Sequence, residues 1–108
     1  MPMANSVSLK ITVLAIMLIS SISVTQAQVH IGAPDCGTWF KRKDLSRMWL
    51  VGFVSGINSL ATEETDALAK LSSVDQLFLW MDNYCKANPL KGVQSGALDL
   101  YIELQNKK

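Results

Sequence analysis

Histidine, cysteine and proline are scarce in this chain of 108 residues, which contains one, two and three of them respectively. A single histidine, His30, and two cysteines cannot supply the four ligands of a structural zinc site built from Cys and His alone. His30 lies in an N-terminal arm with no nucleophile placed to meet it, and the sequence has neither a phosphate-binding glycine loop nor calcium-loop spacing. We therefore predict no catalytic activity, no cofactor and no metal site.

An excess of charge of either sign is also missing. Positions 28–108 hold nine Lys and Arg residues and nine Asp and Glu residues, so nine minus nine leaves a formal net charge of zero. A nucleic-acid-binding domain needs a surplus of Lys and Arg that faces phosphates, and a cationic membrane-binding domain needs a basic face. The charge balance therefore favours neither a nucleic acid nor a membrane surface as the partner.

Long apolar runs are missing except for one near the N-terminus. Lys10 precedes Ile11–Ile19, which is followed by a serine-rich stretch and by Thr25-Gln26-Ala27. This layout is typical of a secretory signal peptide, and the run is shorter than the roughly 20 apolar residues that span a bilayer. We predict a signal peptide at 1–27 and a single periplasmic or secreted domain at 28–108, with no stable membrane insertion after cleavage. An uncleaved N-terminal anchor is the alternative.

The two cysteines, Cys36 and Cys85, are predicted to form a disulfide in the exported domain. A domain of 81 residues (108 minus 27) has a small core that is only marginally stabilising by itself. Closing a loop of about 50 residues stabilises such a domain by roughly 4 kcal/mol in chain-entropy estimates. Two free thiols or an intermolecular bridge are the alternatives.

The first helical pattern follows Asp44, which we predict to be the N-cap of a long buried helix. Gly52 and Gly56 lie one turn apart on one face of this helix, and each costs about 1 kcal/mol of helix propensity relative to Ala. We predict close packing of another element against them, with a partner groove as the alternative. The predicted buried positions of the helix recur with helical spacing at Leu45, Met48, Trp49, Gly52, Phe53, Gly56, Ile57 and Leu60.

Two further long helices are predicted after residue 72. Ser73 and Gln76 fit a capping box at the start of the first. Asn88 and Pro89 are predicted to end it and, as N-cap and first helical residue, to start the second. The apolar stripes are Val74, Leu77, Phe78, Met81, Tyr84 and Cys85, then Val93, Ala97, Leu100, Tyr101 and Leu104. No strand pattern is present, so we predict an all-α, disulfide-linked bundle of three main helices plus one or two short ones.

Candidate partner-binding residues lie in two places. One is the acidic turn of Glu63, Glu64 and Asp66, for which a solvated loop is the alternative. The other lies beside the second cysteine and comprises Trp80, Asp82 and Asn83. Exposed aromatic residues suit a binding surface because they supply a large contact area at low entropic cost. Packing into the core is the alternative for Trp80.

Three segments of the chain resemble known small exported helical proteins. They are the Cys36-Gly37-Thr38-Trp39 opening, the helix from Trp49 to Asn58, and the stretch from Trp80 to Leu90 with its Tyr84-Cys85 and Asn88-Pro89 pairs. This order resembles the Tai-type immunity proteins of type VI secretion systems. It is similar, more loosely, to the HdeA/HdeB-type periplasmic acid-stress chaperones, which share small size, helices and one disulfide. The likeness covers most of residues 35–104.

The resemblance implies two different functions. An immunity protein binds a secreted effector in the periplasm, as a dimer in the expected case, whereas an acid chaperone unfolds in part at low pH and binds client proteins. A third class is an accessory subunit that docks on an envelope or secretion complex. We predict a periplasmic binding or inhibitory protein first, a chaperone second and an accessory subunit third. A homodimer is left open.

Overall fold

The computed structural model describes residues 31–108, which form a helical bundle. In this range there is no β-strand, only an isolated bridge between Asp35 and Gly92. The predicted all-α fold with three long and two short helices is confirmed, whereas the predicted signal peptide at 1–27 and His30 lie outside the described residues. In chain order the helices are α1 (Cys36–Lys41), α2 (Lys43–Asn58), a 3-10 helix (Ala67–Lys70), α3 (Val74–Ala87) and α4 (Val93–Asn106).

Helix α4 is the central element of the bundle, because α2, α3 and the 3-10 helix all pack against it. Its predicted apolar face is confirmed at four of five positions, and Tyr101 is half-buried with its hydroxyl donating to Asn58 Oδ1 at 3.0 Å. The short helix α1 packs on the other side, against α2 and α3. The buried residues of α4 are Val93, Gly96, Ala97, Leu100 and Leu104.

The predicted disulfide is confirmed between Cys36 at the start of α1 and Cys85 in the last turn of α3, whose Cα atoms are 5.0 Å apart. Both cysteines are buried. Backbone hydrogen bonds reinforce the same end of the bundle, from Cys36 N to Lys91 O at 3.0 Å and from Val93 N to Pro34 O at 2.9 Å. The covalent link therefore joins elements that the backbone also holds together.

The predicted start of α3 is confirmed. Ser73 is the N-cap, and its hydroxyl accepts a hydrogen bond from Gln76 N at 3.4 Å. The side chain of Gln76 turns back as a capping box requires, but its Oε1 accepts from Ser72 N at 2.7 Å and not from the N-cap residue itself.

The predicted starts of the other two long helices were wrong. Helix α4 begins at Val93 with Gly92 as N-cap, since Asn88 is the C-cap of α3 and donates to Tyr84 O through both its backbone and side-chain nitrogens, at 2.8 and 2.9 Å. Asp44 lies within the first turn of α2, because α1 and α2 are separated only by Arg42, which ends one helix and begins the next.

The predicted buried stripe of α2 is confirmed only at Trp49, Phe53 and Ile57, which are half-buried, and its other five positions are exposed. The side that faces the core carries Ser46, Leu50 and Val54, whereas Gly52 and Gly56 are exposed. A Cβ added at either glycine would meet no atom of the described chain within 4 Å, so the predicted close packing of another element against them was wrong. Apolar residues occur on nearly every side of α2, so periodicity alone cannot select the side that packs.

Candidate functional site

Asp82, one of the predicted binding residues, is part of the scaffold. Its Oδ1 accepts a hydrogen bond of 2.7 Å from the indole nitrogen of the fully buried Trp39. Lys43 Nζ lies 3.5 Å from the same oxygen. The carboxylate thus joins α3 to α1 and to the first residue of α2, and Trp39 packs near the disulfide end as a core residue.

Trp80 lies between α3 and α4. Its ring stacks on Tyr84 with centroids 5.4 Å apart, and its indole nitrogen donates to Glu103 Oε2 at 3.1 Å. Burial raises the pKa of the Tyr84 phenol, with a further contribution from the nearby charge of Asp99. Trp80 is half-buried, while Asn83 on the same helix is exposed.

The acidic turn divides into one structural and two exposed carboxylates. Asp66 caps the 3-10 helix by accepting from Ala69 N at 3.2 Å, and it also accepts from Asn58 Nδ2 at 2.7 Å. Glu63 and Glu64 are exposed. Among the six predicted binding residues, Asp66 and Asp82 hold the fold together, and Glu63, Glu64 and Asn83 have side chains open to solvent.

A feature that sequence reasoning missed is an apolar groove between α2 and α3. It is shallow, with a volume of about 550 Å³, and Val51 also lines a second hollow of about 270 Å³. Met48 and Val74 are 72% and 50% exposed along it. The larger hollow is lined by Asp44, Arg47, Met48, Val51, Gly52 and Phe78.

Arg47 forms the polar edge of this groove. Its guanidinium carbon lies 4.7 Å from the centroid of the Phe78 ring, a cation–π distance. Its Nε is buried without a hydrogen-bond partner in the described part of the chain. The groove therefore combines an adaptable methionine, an aromatic ring and one cation, which is the chemistry of a protein-binding surface.

Clusters suited to metal binding are absent from residues 31–108, where no group of three or more His, Cys, Asp or Glu side chains is arranged to hold an ion. No helix in the same range is long and apolar enough to cross a membrane. Ser55 lies inside α2, away from any strand-to-helix turn that would expose a nucleophile.

The comparisons with known proteins return no relatives. No protein-family model matches the chain, and no curated protein and no solved structure matches it. The resemblance to Tai-type and HdeA/HdeB-type proteins therefore stays a prediction from the sequence.

Proposed function

We propose that this chain is an exported, non-enzymatic protein-binding domain that acts in the periplasm or outside the cell, in the manner of an immunity protein or inhibitor. The observation that carries the proposal is the apolar groove between α2 and α3. Its exposed side chains Met48, Val51 and Val74 belong to two helices that both pack against α4. Contiguous exposed apolar surface with a polar edge is typical of protein interaction sites.

The disulfide supports the location. Cys36 and Cys85 are joined and buried, and such bridges persist in oxidising compartments and are rare in the cytosol. The predicted signal peptide at 1–27 points to the same compartment. A small domain that is covalently closed in this way presents a rigid surface to its partner, which lowers the entropic cost of binding.

Two variants test the groove as the binding site: one places a negative charge inside the groove, and the other places it on the same helix outside the groove. Val74 is the first residue of α3, where an acidic side chain favours the helix through the dipole, so Val74→Asp should keep the fold while it charges the groove. Leu79→Asp is the matched control, since Leu79 is also exposed on α3 and does not line the groove. Both variants are tested in their oxidised form. We expect the Leu79→Asp variant to capture the partner from periplasmic extract and the Val74→Asp variant to fail to capture it. Equal capture by the two variants would overturn the groove as the binding site.

An acid-stress chaperone is the second candidate, and a specific observation favours it. Three carboxylates accept the hydrogen bonds that hold the scaffold: Asp35 caps α1, Asp66 holds the 3-10 helix and Asp82 holds Trp39. At Asp35 the hydrogen bond from Thr38 N lowers the pKa of the carboxyl, so protonation in acid opposes this cap. A chaperone should bind an apolar dye reversibly near pH 2 to 3 and suppress client aggregation there. A domain that stays folded and binds no dye in this range excludes that function.

A further inference from the structure

A pocket separate from the groove lies between the arm of residues 32–35 and helices α1 and α2. Its volume is about 380 Å³, which falls within the range of about 300 to 1,000 Å³ that is usual for small-molecule sites. The arm forms one wall of this arm pocket, and Leu45, Ser46 and Trp49 of α2 contribute to the opposite wall. No residue that lines the arm pocket also lines the groove between α2 and α3.

Hydrogen bonds and the disulfide fix the walls of the arm pocket. Pro34 O accepts from Val93 N at 2.9 Å, and Cys36 directly after the arm is held by the disulfide. At the other wall, the indole nitrogen of Trp49 donates to Ile31 O at 3.1 Å and so ties α2 to the start of the arm. A pocket that is formed in advance loses little conformational entropy when a ligand binds.

Two opposite charges line the arm pocket without pairing with each other. They belong to Asp35 and Arg42, whereas the ion pair present in residues 31–108 joins Lys43 to Asp82. The hydrogen bond from Thr38 N lowers the pKa of the Asp35 carboxyl, so this group is ionised at neutral pH. The guanidinium of an arginine stays charged throughout the physiological range. Each of the two groups is therefore available to a ligand group of opposite charge.

The rest of the lining consists of one buried hydroxyl and an apolar surface. Ser46 is only 2% exposed, and its Oγ donates one long hydrogen bond, of 3.4 Å, to Thr38 O, so the oxygen can still accept a hydrogen bond from a ligand. The ring of Trp49 stacks on Phe53 with centroids 4.8 Å apart, which fixes the plane of the indole. Leu45 extends the apolar surface and is 61% exposed.

We propose that the arm pocket binds a free α-amino acid with an apolar side chain. Asp35 accepts from the ammonium group of the ligand, Arg42 donates to its carboxylate, and the apolar side chain lies against Leu45 and Trp49. A carboxylate has several lone pairs, so Asp35 can accept from Thr38 N and from the ligand together. An amino acid carries one charge of each sign at neutral pH and so matches both unpaired groups, whereas a ligand with a single charge leaves one of them unmatched. The inference goes beyond the proposed function, because it uses no residue of the groove.

The experiment titrates the oxidised mature chain with L-leucine and L-phenylalanine and follows the NMR signal of the Trp49 indole N–H, which Trp49→Phe assigns. Both amino acids should shift this signal to saturation, while the indole signal of Trp80, which does not line the pocket, stays in place. N-acetyl-leucine lacks the ammonium group and leucinamide lacks the carboxylate. Each of these analogues should bind about tenfold more weakly than leucine or worse, because one charged hydrogen bond is lost.

Two variants remove the charges one at a time and keep the fold. Asp35→Asn retains a good N-cap residue for α1, and Arg42→Gln changes an exposed side chain. Each should weaken the binding of leucine by about tenfold or more. The matched control Lys41→Gln removes a charge from the exposed neighbour of Arg42 that does not line the pocket, and it should bind leucine as the unchanged protein does.

Three results would overturn the proposal: no saturable shift with either amino acid, equal binding of leucine and its two analogues, or equal binding by the unchanged protein and both pocket variants. Circular dichroism checks that each variant keeps its helices. Val74→Asp should bind leucine normally, because Val74 lies in the groove and not in the arm pocket. Failure of the groove and failure of the pocket therefore give different results.

Discussion

Helices α4 and α2 both contain glycine, but the glycine of α4 is buried and those of α2 are exposed. In α4, a Cβ at Gly96 would lie 2.6 Å from Tyr84 Cδ1 and 2.8 Å from Met81 Sδ, so these two side chains of α3 would have to shift to make room for it. In α2, a Cβ at Gly52 or Gly56 would contact nothing. Glycine in a helix therefore accompanies a close approach in α4 but not in α2, and only the neighbouring elements distinguish the two cases.

The largest expected effect on the free energy of unfolding comes from removal of the disulfide in the packed interior of the bundle. The variant Cys36→Ala/Cys85→Ala should lower the free energy of unfolding by roughly 2 to 5 kcal/mol, because the open chain gains conformational entropy when unfolded. Urea unfolding of the oxidised protein and of the variant measures this difference. Reduction of the unchanged protein with a thiol should shift the midpoint in the same direction, and an unchanged midpoint in both experiments would contradict the prediction.

Gly96→Ala should be the next largest effect. Overpacking costs about 1 to 3 kcal/mol, and the better helix propensity of Ala returns about 1 kcal/mol of it, so we expect a net loss of up to about 2 kcal/mol. Urea unfolding measures this loss, and a variant that keeps Trp80 as its single tryptophan reports by fluorescence on the Tyr84 ring, which stacks on Trp80 and which the new methyl group would push. A gain in stability would show that α3 and α4 are farther apart than described.

Gly52→Ala is the matched substitution on the open side and should have the opposite sign. With no atom near the new methyl group, helix propensity dominates, and the free energy of unfolding should rise by up to about 1 kcal/mol. Urea unfolding of the variant and of the unchanged protein measures this difference. If Gly52→Ala lost as much stability as Gly96→Ala, the surroundings of Gly52 could not be open as described, and the contrast between α2 and α4 would be wrong.

The smallest effect is expected at Asp35, the exposed N-cap of α1. The hydrogen bond from Thr38 N lowers the pKa of its carboxyl. Folding therefore favours the carboxylate, whose contribution is complete above the ordinary aspartate pKa of about 4 and is lost as the pH falls through the lower folded value. The difference in melting temperature between the unchanged protein and Asp35→Asn should shrink over that acid range. A difference that stays constant would contradict the assignment of the cap.

Local signals in the sequence predicted some helix ends correctly and others not. The Ser73 and Gln76 box acts within one turn, so it was readable without knowledge of the fold. Asn88 is followed by proline and fits the start of a helix equally well, yet its amide is used at the end of α3. The C-terminal carbonyls of α4 accept from Lys70 Nζ, with Leu104 O at 2.5 Å, and a contact from so distant a position leaves no local pattern.

In the candidate site, too, the sequence drew attention to some residues whose roles only the fold reveals. Trp80 and Asp82 attract notice in the sequence as an aromatic and an acid beside a cysteine, but their polar atoms bind Glu103 and Trp39 within the bundle. The apolar groove was missed because Val51 and Val74 belong to segments that are 23 positions apart in sequence (74 minus 51) and meet only after folding. Neither residue differs from a core residue until its surroundings are known.

The sequence by itself determined the helical class of this protein, the pairing of its two cysteines and the apolar side of α4, because spacing and disulfide chemistry are properties of the chain. Only the tertiary structure decided which side of α2 faces inward. Apolar residues surround that helix, so its orientation follows from the position of α4 and from the bonds of Trp39 and Lys43 to Asp82. The exposed face of α2, and with it the apolar groove, is a consequence of that packing.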